Sequence, residues 1–443
     1  ATKTNTGEVN MQTFREEARE IPVLASVDVL VSGAGPAGVG AALAAAENGA
    51  ETMLVEQSGK IGGMATSGMM SHWSGSSESP KLRRIVDKMR SLRGGHFLLQ
   101  DGRHTICHDM LKEALFEMME EAGVKVRLHT MFSLPIMEGK EIKGVIVESK
   151  SGREAIFAKR IIDCSGDGDV AARAGAGFQK GREEDGKMQP VTLMFRIGGV
   201  DYTRAVFPPS FETHIPLPDG DIQELGRKHL PFPAGHVLLY RTLLPNEVCV
   251  NMTNVIDIDG TNADDLSKAE IICHRQIDSI VPFLRKYVPG YENCYVVATA
   301  ENVGVRETRH IKGLYTMTGE DTTEGRIFDD WIATRNQFNF DIHNIKGPGL
   351  DEHGAQVHFR SKGKYTVPLR ACIPAGIDSL LVAGRCISGT HLAHSNYRVM
   401  AICLNIGHGV GTAAAVSVKK GVQPADLQPA DYQERLKQDG VEL

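Results

Sequence analysis

The stretch VDVLVSGAGPAGVGAALAAAENGAETMLVEQSGKIGGMAT, residues 27–66, decides the fold. Its first apolar run is typical of a strand that is buried on both faces, and the GxGxxG turn that follows is typical of a dinucleotide-binding unit. In such a unit Gly33 permits the tight turn, and Gly35 lets the backbone approach a pyrophosphate. Gly38 lets the helix pack closely on the strand.

The helix after this turn is predicted to run from about Pro36 to Asn48, with Ala37 in its first turn. Its N-terminus would offer N–H groups and positive dipole charge to a phosphate. A second strand then ends in Glu56, at the usual distance of about 20 residues from the turn, where a carboxylate accepts hydrogen bonds from ribose hydroxyls. A turn of packing value alone is the alternative, and it does not explain Glu56. An acid at this place disfavours a 2′-phosphate, so NAD and FAD both fit.

A second glycine pair follows the acid, in Gly62, Gly63, Met64 and Ala65. This pair is not part of the nicotinamide pattern. The order GxGxxG, glutamate, GG resembles the glutathione-reductase-like flavoproteins that have two dinucleotide-binding domains. The resemblance implies FAD as the cofactor, and we expect FAD to be bound non-covalently. His72 lies roughly where some relatives attach FAD to histidine, so a covalent link stays open as an alternative.

Two features later in the chain extend the resemblance. RIIDCSGDGDVAARAGA, residues 160–176, is similar to the second FAD contact of these flavoproteins and would place Ser165, Gly166 and Asp167 beside the flavin end of the cofactor. Three predicted strands before it match the family's β-meander, in which Val126 occupies the position whose backbone usually meets adenine. The acids of the GDGD turn could instead bind a metal, but without a following Glu they make a poor calcium site. We therefore expect no metal.

A late segment, residues 379–421, resembles the strand and helix that return to the FAD-binding domain of these flavoproteins. The strand would end at Gly384 and Arg385, beside the cofactor. A glycine turn would then precede an alanine-rich helix whose N-terminus faces the flavin pyrimidine. The residues of that turn expected to contact the cofactor are Gly407, Gly409, Gly411 and Thr412.

Blocks at residues 301–321 and 362–388 look like those of the broad set called FAD-dependent oxidoreductases. This set is related in its flavin domain to the fumarate reductase and succinate dehydrogenase flavoproteins. The implied fold class is α/β, with a Rossmann-like FAD-binding domain that carries a β-meander, plus a mixed α+β substrate or cap domain. The expected boundaries are an N-terminal extension at 1–26, the FAD-binding domain at 27–187 and 368–425, the cap domain at 188–367 and a C-terminal tail at 426–443.

Three arginines are candidates for binding a substrate carboxylate, because a guanidinium holds a carboxylate bidentately. Arg398 lies between the late strand and the late helix, and a similar arginine serves substrate carboxylates in the fumarate reductase relatives. Arg306 and Arg309 lie in the segment GVRETRH. They could instead form a structural network with neighbouring glutamates.

Two histidines, His391 and His394, lie in the same predicted loop as Arg398. Either could move a proton to or from a substrate. Each could equally be a helix-cap or core histidine. A metal pair is also conceivable, but the sequence suggests no third ligand.

The predicted function is that of an FAD-dependent oxidoreductase, which transfers a hydride between flavin N5 and a small, carboxylate-bearing organic substrate. One alternative is a flavoprotein electron-transfer subunit whose partner carries iron–sulfur clusters. Another is a flavin-binding scaffold without turnover. The sequence shows no second dinucleotide motif, so a built-in NAD(P)H site is not predicted.

Composition excludes several classes. The 443 residues carry a net charge of −6, without a block of five like charges, so we expect no nucleic-acid partner. We expect no membrane span, because no apolar run approaches the required length of about 20 residues. The eight cysteines contain no CxxC pair, which argues against a zinc ribbon or an iron–sulfur cluster. Without a secretory signal in the N-terminal residues, a cytoplasmic enzyme with a small-molecule substrate is expected, alone or as a homo-oligomer.

Overall fold

The computed structural model describes residues 13–75, 78–92, 105–210, 213–351 and 362–443. The first twelve residues of the expected N-terminal extension lie outside these ranges. The strands are β1 (Val23–Ser32), β2 (Thr52–Val55), β3 (Lys125–Arg127), β4 (Thr130–Glu138), β5 (Glu141–Ser149), β6 (Gly152–Asp163), β7 (Phe178–Lys180), β8 (Phe195–Gly198), β9 (Pro216–Leu217), β10 (Gly220–Asp221), β11 (Leu239–Arg241), β12 (Val248–Val250), β13 (Tyr295–Thr299), β14 (Arg309–Ile311), β15 (Trp331–Asn336), β16 (Tyr365–Pro368) and β17 (Leu380–Val382).

The helices alternate with these strands in the first part of the chain and flank the sheets elsewhere. They are α1 (Pro36–Glu47), α2 (Pro80–Ser91), α3 (His108–Glu121), α4 (Asp169–Arg173), α5 (Ile222–His229), α6 (Ala263–Tyr287), α7 (Gly319–Thr323), α8 (His391–Tyr397), α9 (Met400–Lys420) and α10 (Pro429–Gln438).

The main sheet has the order β3-β2-β1-β6-β5-β4, and β17 also pairs with β6. Strands β3, β2, β1, β6 and β17 run parallel, whereas β4, β5 and β6 form an antiparallel meander. Val29, Leu30 and Val31 of β1 are fully buried, as an apolar, β-branched strand at the centre of a covered sheet should be. The predicted α/β class, with its Rossmann-like sheet and meander, is therefore confirmed.

Helix α9 corrects the prediction for the late glycines. It begins at Met400, after Val399 as its N-cap, so these glycines lie inside the helix and not in a turn before it. A Cβ at Gly407 would lie 2.0 Å from the carbonyl oxygen of Ala37 in α1, and a Cβ at Gly411 would lie 2.2 Å from that of Ala41. These glycines allow two helices to pack backbone against backbone.

The two remaining residues of the expected turn are also accounted for by packing. A Cβ at Gly409 would lie 2.2 Å from the carbonyl oxygen of Ile332 in β15. The Thr412 hydroxyl donates to the carbonyl of His408 within the helix. By length and composition α9 could cross a membrane, but 89% of its most apolar window is buried inside the protein. It is a core helix wedged between α1 and β15.

A second hydrophobic core lies between residues 191 and 303. It is covered by the antiparallel sheet β11-β12-β8-β13 and the long helix α6. Residues of β15 and β16, such as Ile332 and Val367, pack in the first core with α9. The second core is therefore smaller than the cap domain expected at 188–367.

Candidate active site

Three segments meet at the carboxyl ends of β1, β6 and β17. The backbone N–H of Cys164 donates to Ser32, and the N–H of Ala383 donates to Asp163, at 2.8 and 3.0 Å. The N–H of Gly62 donates to Ala34 at 2.7 Å, which joins the second glycine pair to the same edge. In an open parallel sheet this edge is where nucleotides bind.

The GxGxxG turn has the shape that its sequence predicts. Gly33 has a φ of +99°, and a Cβ at Gly38 would lie only 1.9 Å from the carbonyl oxygen of Gly33. Gly35 differs, since a Cβ there would meet no atom within 4 Å. The space beside Gly35 therefore adjoins the first turn of α1, whose N–H groups lack intrahelical partners. This open cradle fits a pyrophosphate.

The second glycine pair lies directly against this turn. A Cβ at Gly63 would lie 2.8 Å from the Cα of Gly35. Met64 and Ala65 continue as a short 3-10 helix, and the Met64 side chain reaches Gly304, where an added Cβ would lie 2.6 Å from its methyl carbon. Residues 62–65 thus connect the phosphate turn to the segment that precedes Arg306.

Glu56 lies directly after β2 and faces the turn. Its Oε2 accepts from the N–H of Ala34, and its Oε1 accepts from the N–H of Ser58, both at 2.8 Å. Val126 lies in the adjoining strand β3, opposite Leu54. The carboxylate is held at the tip of the second strand, where a ribose would lie.

The turn after β6 is organised by Asp163. Its carboxylate accepts from the N–H and hydroxyl of Ser165 and from the N–H of Ala171. Burial raises the pKa of Asp163 to about 6, although these hydrogen bonds oppose the rise. The carboxylate of Asp167 pairs with Arg385 at 2.7 Å. The two segments that were expected to flank the flavin are thereby joined by an ion pair.

Arg309 is placed differently from the expectation that it binds substrate. It donates to the carbonyl of Asp167 and to the carboxylate of Asp169, both at 2.9 Å. Its guanidinium also lies over the ring of Phe178, 5.4 Å from the centroid. Arg309 thus contacts the turn at residues 165–169, an arrangement that favours the structural alternative.

Arg306 is buried, and Arg398, whose side chain is 10% exposed, lies in the same polar cluster. Arg398 donates to the carboxylate of Asp341 at 2.9 Å and to its carbonyl at 2.7 Å, and its Nε has no hydrogen-bond partner among the described residues. Arg306 donates to the carbonyl of Pro190 at 2.6 Å. Burial, followed by the charge of Arg398, lowers the pKa of Arg306 to about 10.

Two buried histidines complete this arginine cluster. The Nε2 of His343 lies 3.2 Å from Asp341, and the His236 and His343 rings lie 6.4 Å apart. Burial lowers the pKa of His343 to about 4 and that of His236 to about 3. Burial would raise the pKa of Asp341, but the charge of Arg398 outweighs it and holds the carboxyl ionised. At neutral pH the cluster therefore has two positive charges and one negative charge.

A second polar cluster is centred on Glu307, which is buried and directly follows Arg306 in the sequence. One carboxylate oxygen, Oε1, lies 2.6 Å from Nδ1 of His391, 3.0 Å from Nε2 of His310 and 3.9 Å from Nδ1 of His394. The other oxygen accepts from the N–H of Gln189. We call these four residues, Glu307, His310, His391 and His394, the histidine cluster.

The pKa values of Glu307, His391 and His394 all differ from their ordinary values. Burial would raise the pKa of Glu307, but the hydrogen bonds from His310 and His391 lower it well below the usual range. For His391 burial favours the neutral ring, but Glu307 outweighs burial and raises the pKa. Burial and the nearby His310 lower the pKa of His394 well below its usual value.

One family of known proteins matches most of the chain. The profile of the family described as FAD dependent oxidoreductase matches residues 28–436. The chain belongs to this family. Its cofactor is FAD, and it is an oxidoreductase enzyme. No curated protein matches the chain.

Solved structures that resemble this FAD dependent oxidoreductase include two enzymes or enzyme-like proteins. A geranylgeranyl bacteriochlorophyll reductase-like protein from Thermoplasma acidophilum has a TM-score of 0.50 at 12% identity, over 94% of this chain and 84% of that one. The p-nitrophenol 4-monooxygenase PnpA from Pseudomonas putida has a TM-score of 0.46 at 12% identity, over 94% and 86% of the two chains.

Five residues of the two clusters are not singled out from the sequence: Glu307, His310, Asp341, His236 and His343. Glu307 is considered there only as one of the neighbouring glutamates that could pair with an arginine. Glu307 and His310 form an E-x-x-H pair, and His391 and His394 form an H-x-x-H pair, so two spaced pairs in segments that resemble flavoprotein blocks were the available signal. Asp341 has no local motif, and only the fold brings it to Arg398.

Proposed function

We propose that this FAD-dependent oxidoreductase exchanges a hydride with a small organic substrate that carries a carboxylate. The observation that supports the proposal is the pair of arginines in one cluster, the buried Arg306 and the nearly buried Arg398. The Asp341 carboxylate pairs with Arg398, whereas Arg306 donates to the neutral carbonyl of Pro190. A buried positive charge without a counter-ion is costly, and an anionic ligand removes that cost. A guanidinium fork is also the side chain best suited to hold a carboxylate in one orientation.

The flavin would be held by residues of the segments at the carboxyl ends of β1, β2, β6 and β17. They are Gly33, Gly35, Pro36, Ala37 and Gly38 for the pyrophosphate, Glu56 and Val126 for the adenosine, and Gly62, Gly63, Met64, Ala65, Ser165, Gly166, Asp167, Gly384 and Arg385 toward the ring. When bound, FAD supplies the redox chemistry by exchanging a hydride at N5. A relation to the fumarate reductase flavoproteins would fit the place of Arg398, two residues before α9.

Arg398 would orient the substrate carboxylate, and Asp341 would fix the direction of the Arg398 guanidinium. His391 is the proposed residue for moving a proton, because it is the most exposed of the histidine cluster while Glu307 holds its ring. His394 is fully buried and less suited to that task.

The test uses the FAD-loaded protein without oxygen. A panel of short hydroxy-, oxo- and unsaturated carboxylates would be screened for bleaching or reoxidation of the flavin, each beside its methyl ester. We expect carboxylates to react and the esters to fail. With a reactive carboxylate, Arg398→Lys and Arg306→Lys should lower kcat/KM by about 100-fold, because a bidentate contact to charge becomes a single one.

The matched control is Arg204→Lys, since Arg204 is an exposed arginine that pairs with Glu292. It should leave kcat/KM unchanged. Equal FAD content and equal unfolding temperature would show that the variants are folded. Turnover that survives in both cluster variants would contradict the proposal. Reduction of the flavin only by a reduced iron–sulfur protein would favour an electron-transfer subunit instead.

A further inference from the structure

The histidine cluster brings three ring nitrogens to one oxygen, Oε1 of Glu307, which can accept hydrogen bonds from two of them. An ionised carboxylate oxygen has two lone-pair directions. At Oε1 of Glu307 these directions are taken by His391 at 2.6 Å and His310 at 3.0 Å. Nδ1 of His394 is buried, lies 3.9 Å from the same oxygen and has no hydrogen-bond partner in the part of the chain that the structure describes. A buried unpaired nitrogen of this kind calls for an explanation.

The tautomer of His310 sharpens the question. Its Nδ1 lies 2.7 Å from the carbonyl oxygen of Gly389, which can only accept, so Nδ1 carries the proton. In a neutral ring Nε2 then presents a lone pair to the Glu307 oxygen. Two lone pairs at 3.0 Å repel each other unless a positive charge lies between them. That charge is either a second proton on His310 or a cation.

From this geometry we propose that Glu307, His310 and His394 bind a divalent transition-metal ion. The three ligand atoms lie within 4.8 Å of one another, and all three residues are buried. Ligands at about 2.1 Å from a Zn²⁺-like ion lie about 3.0 to 3.5 Å apart, so a small shift of His394 closes the set. A proton satisfies His310 alone, whereas a metal ion also satisfies the orphaned nitrogen of His394.

The surroundings have the features of a supported metal site. A ligating histidine usually donates its second N–H to a carbonyl or carboxylate, as His310 does to Gly389. His391 and the N–H of Gln189 donate to the Glu307 carboxylate and fix its direction. Two histidines and one carboxylate leave coordination positions open for water or a ligand oxygen, as in catalytic zinc and non-haem iron sites.

The test begins with tag-free FAD-loaded protein dialysed against a chelator and then against Zn²⁺. We expect about one Zn²⁺ per chain after desalting. His310→Gln and His394→Gln should each weaken Zn²⁺ binding by about tenfold or more. The matched control is His408→Gln, since His408 is also buried and pairs with one carboxylate, Asp439, but no second described histidine pairs with that carboxylate. It should bind Zn²⁺ like the wild type.

The proposal would be overturned if the wild type retained no Zn²⁺. It would also be overturned if both ligand variants retained as much Zn²⁺ as the wild type, because the ion would then be bound at the surface only. Because the variants remove buried groups, a second measurement uses the wild type alone. Pulsed electron paramagnetic resonance of the Cu²⁺-loaded protein should detect two coordinated imidazoles. Fewer than two would also overturn it. Neither readout depends on turnover, so failure here leaves the carboxylate proposal intact.

Discussion

At the scale of single residues, adding a methyl group is expected to have different effects at two glycines of the GxGxxG turn, Gly38 and Gly35. A Cβ at Gly38 would clash with the Gly33 carbonyl at 1.9 Å, whereas one at Gly35 would meet no atom of the chain. We expect Gly38→Ala to lower the free energy of unfolding by about 3 kcal/mol. Gly35→Ala should change it by less than about 0.5 kcal/mol but weaken FAD binding tenfold or more, because the methyl would occupy the phosphate cradle.

Thermal unfolding of the flavin-free protein and titration with FAD check both expectations. The control is Gly363→Ala, which also adds a methyl group to open space, but far along the chain from the turn. FAD affinity like that of the wild type in Gly35→Ala would mean that the pyrophosphate does not lie against this glycine.

The same scale shows what the sequence could predict. Gly33 and Glu56 follow from spacing within one βαβ unit, and the fold places them as expected. The position of Arg309 does not follow from spacing, because neighbouring residues of β14 point in opposite directions. His310 faces Glu307, and Arg309 therefore faces the turn at Asp167. A sequence without the strand register does not say which of the two reaches the site.

At the scale of elements, α9 tests packing against propensity. Glycine costs about 1 kcal/mol relative to alanine inside a helix, which is why its three glycines suggested a turn. The close contacts of Gly407 and Gly411 with α1, and of Gly409 with β15, reverse this preference. Gly411→Ala should gain helix propensity, yet lower the free energy of unfolding by about 2 kcal/mol, since its Cβ would lie 2.2 Å from the Ala41 carbonyl.

Chemical denaturation of the FAD-loaded protein measures this change. Lys419→Ala, at an exposed position near the end of the same helix, is the control and should stay within about 0.5 kcal/mol of the wild type. A stabilised Gly411→Ala protein would show that α1 and α9 are not in close contact.

At the scale of the whole molecule, the strand–helix alternation and the meander could be predicted because each strand has its own local pattern. The extent of the second core could not be predicted from the sequence. Its residues, 191 to 303, carry no nucleotide motif. Strands β15 and β16 join the first core through contacts with each other and with elements distant in sequence, such as α9 and α10. Such long-range contacts also create the arginine cluster, where Arg306, Asp341 and Arg398 come from three separate segments.

Stability should fall in acid because buried histidines stay neutral in the folded protein. Burial, reinforced by the charge of Arg196, lowers the pKa of His108 to about 4, and burial lowers those of His236 and His343 to about 3 and 4. Below pH 6.5 the unfolded chain binds protons that the folded chain does not, so the free energy of unfolding decreases as pH falls toward 4. Asp163, with its pKa raised to about 6, opposes this trend over part of the range.

His108→Gln isolates one such contribution. A shift from 6.5 to about 4 corresponds to about 3 kcal/mol of stability lost between those pH values, and the variant should lose less by about that amount. Urea unfolding at several pH values, with His274→Gln at an exposed position as the control, gives the two slopes. Parallel slopes for His108→Gln and the wild type would mean that His108 titrates alike in both states, and that the acid sensitivity comes from the carboxylates held by arginine and histidine instead.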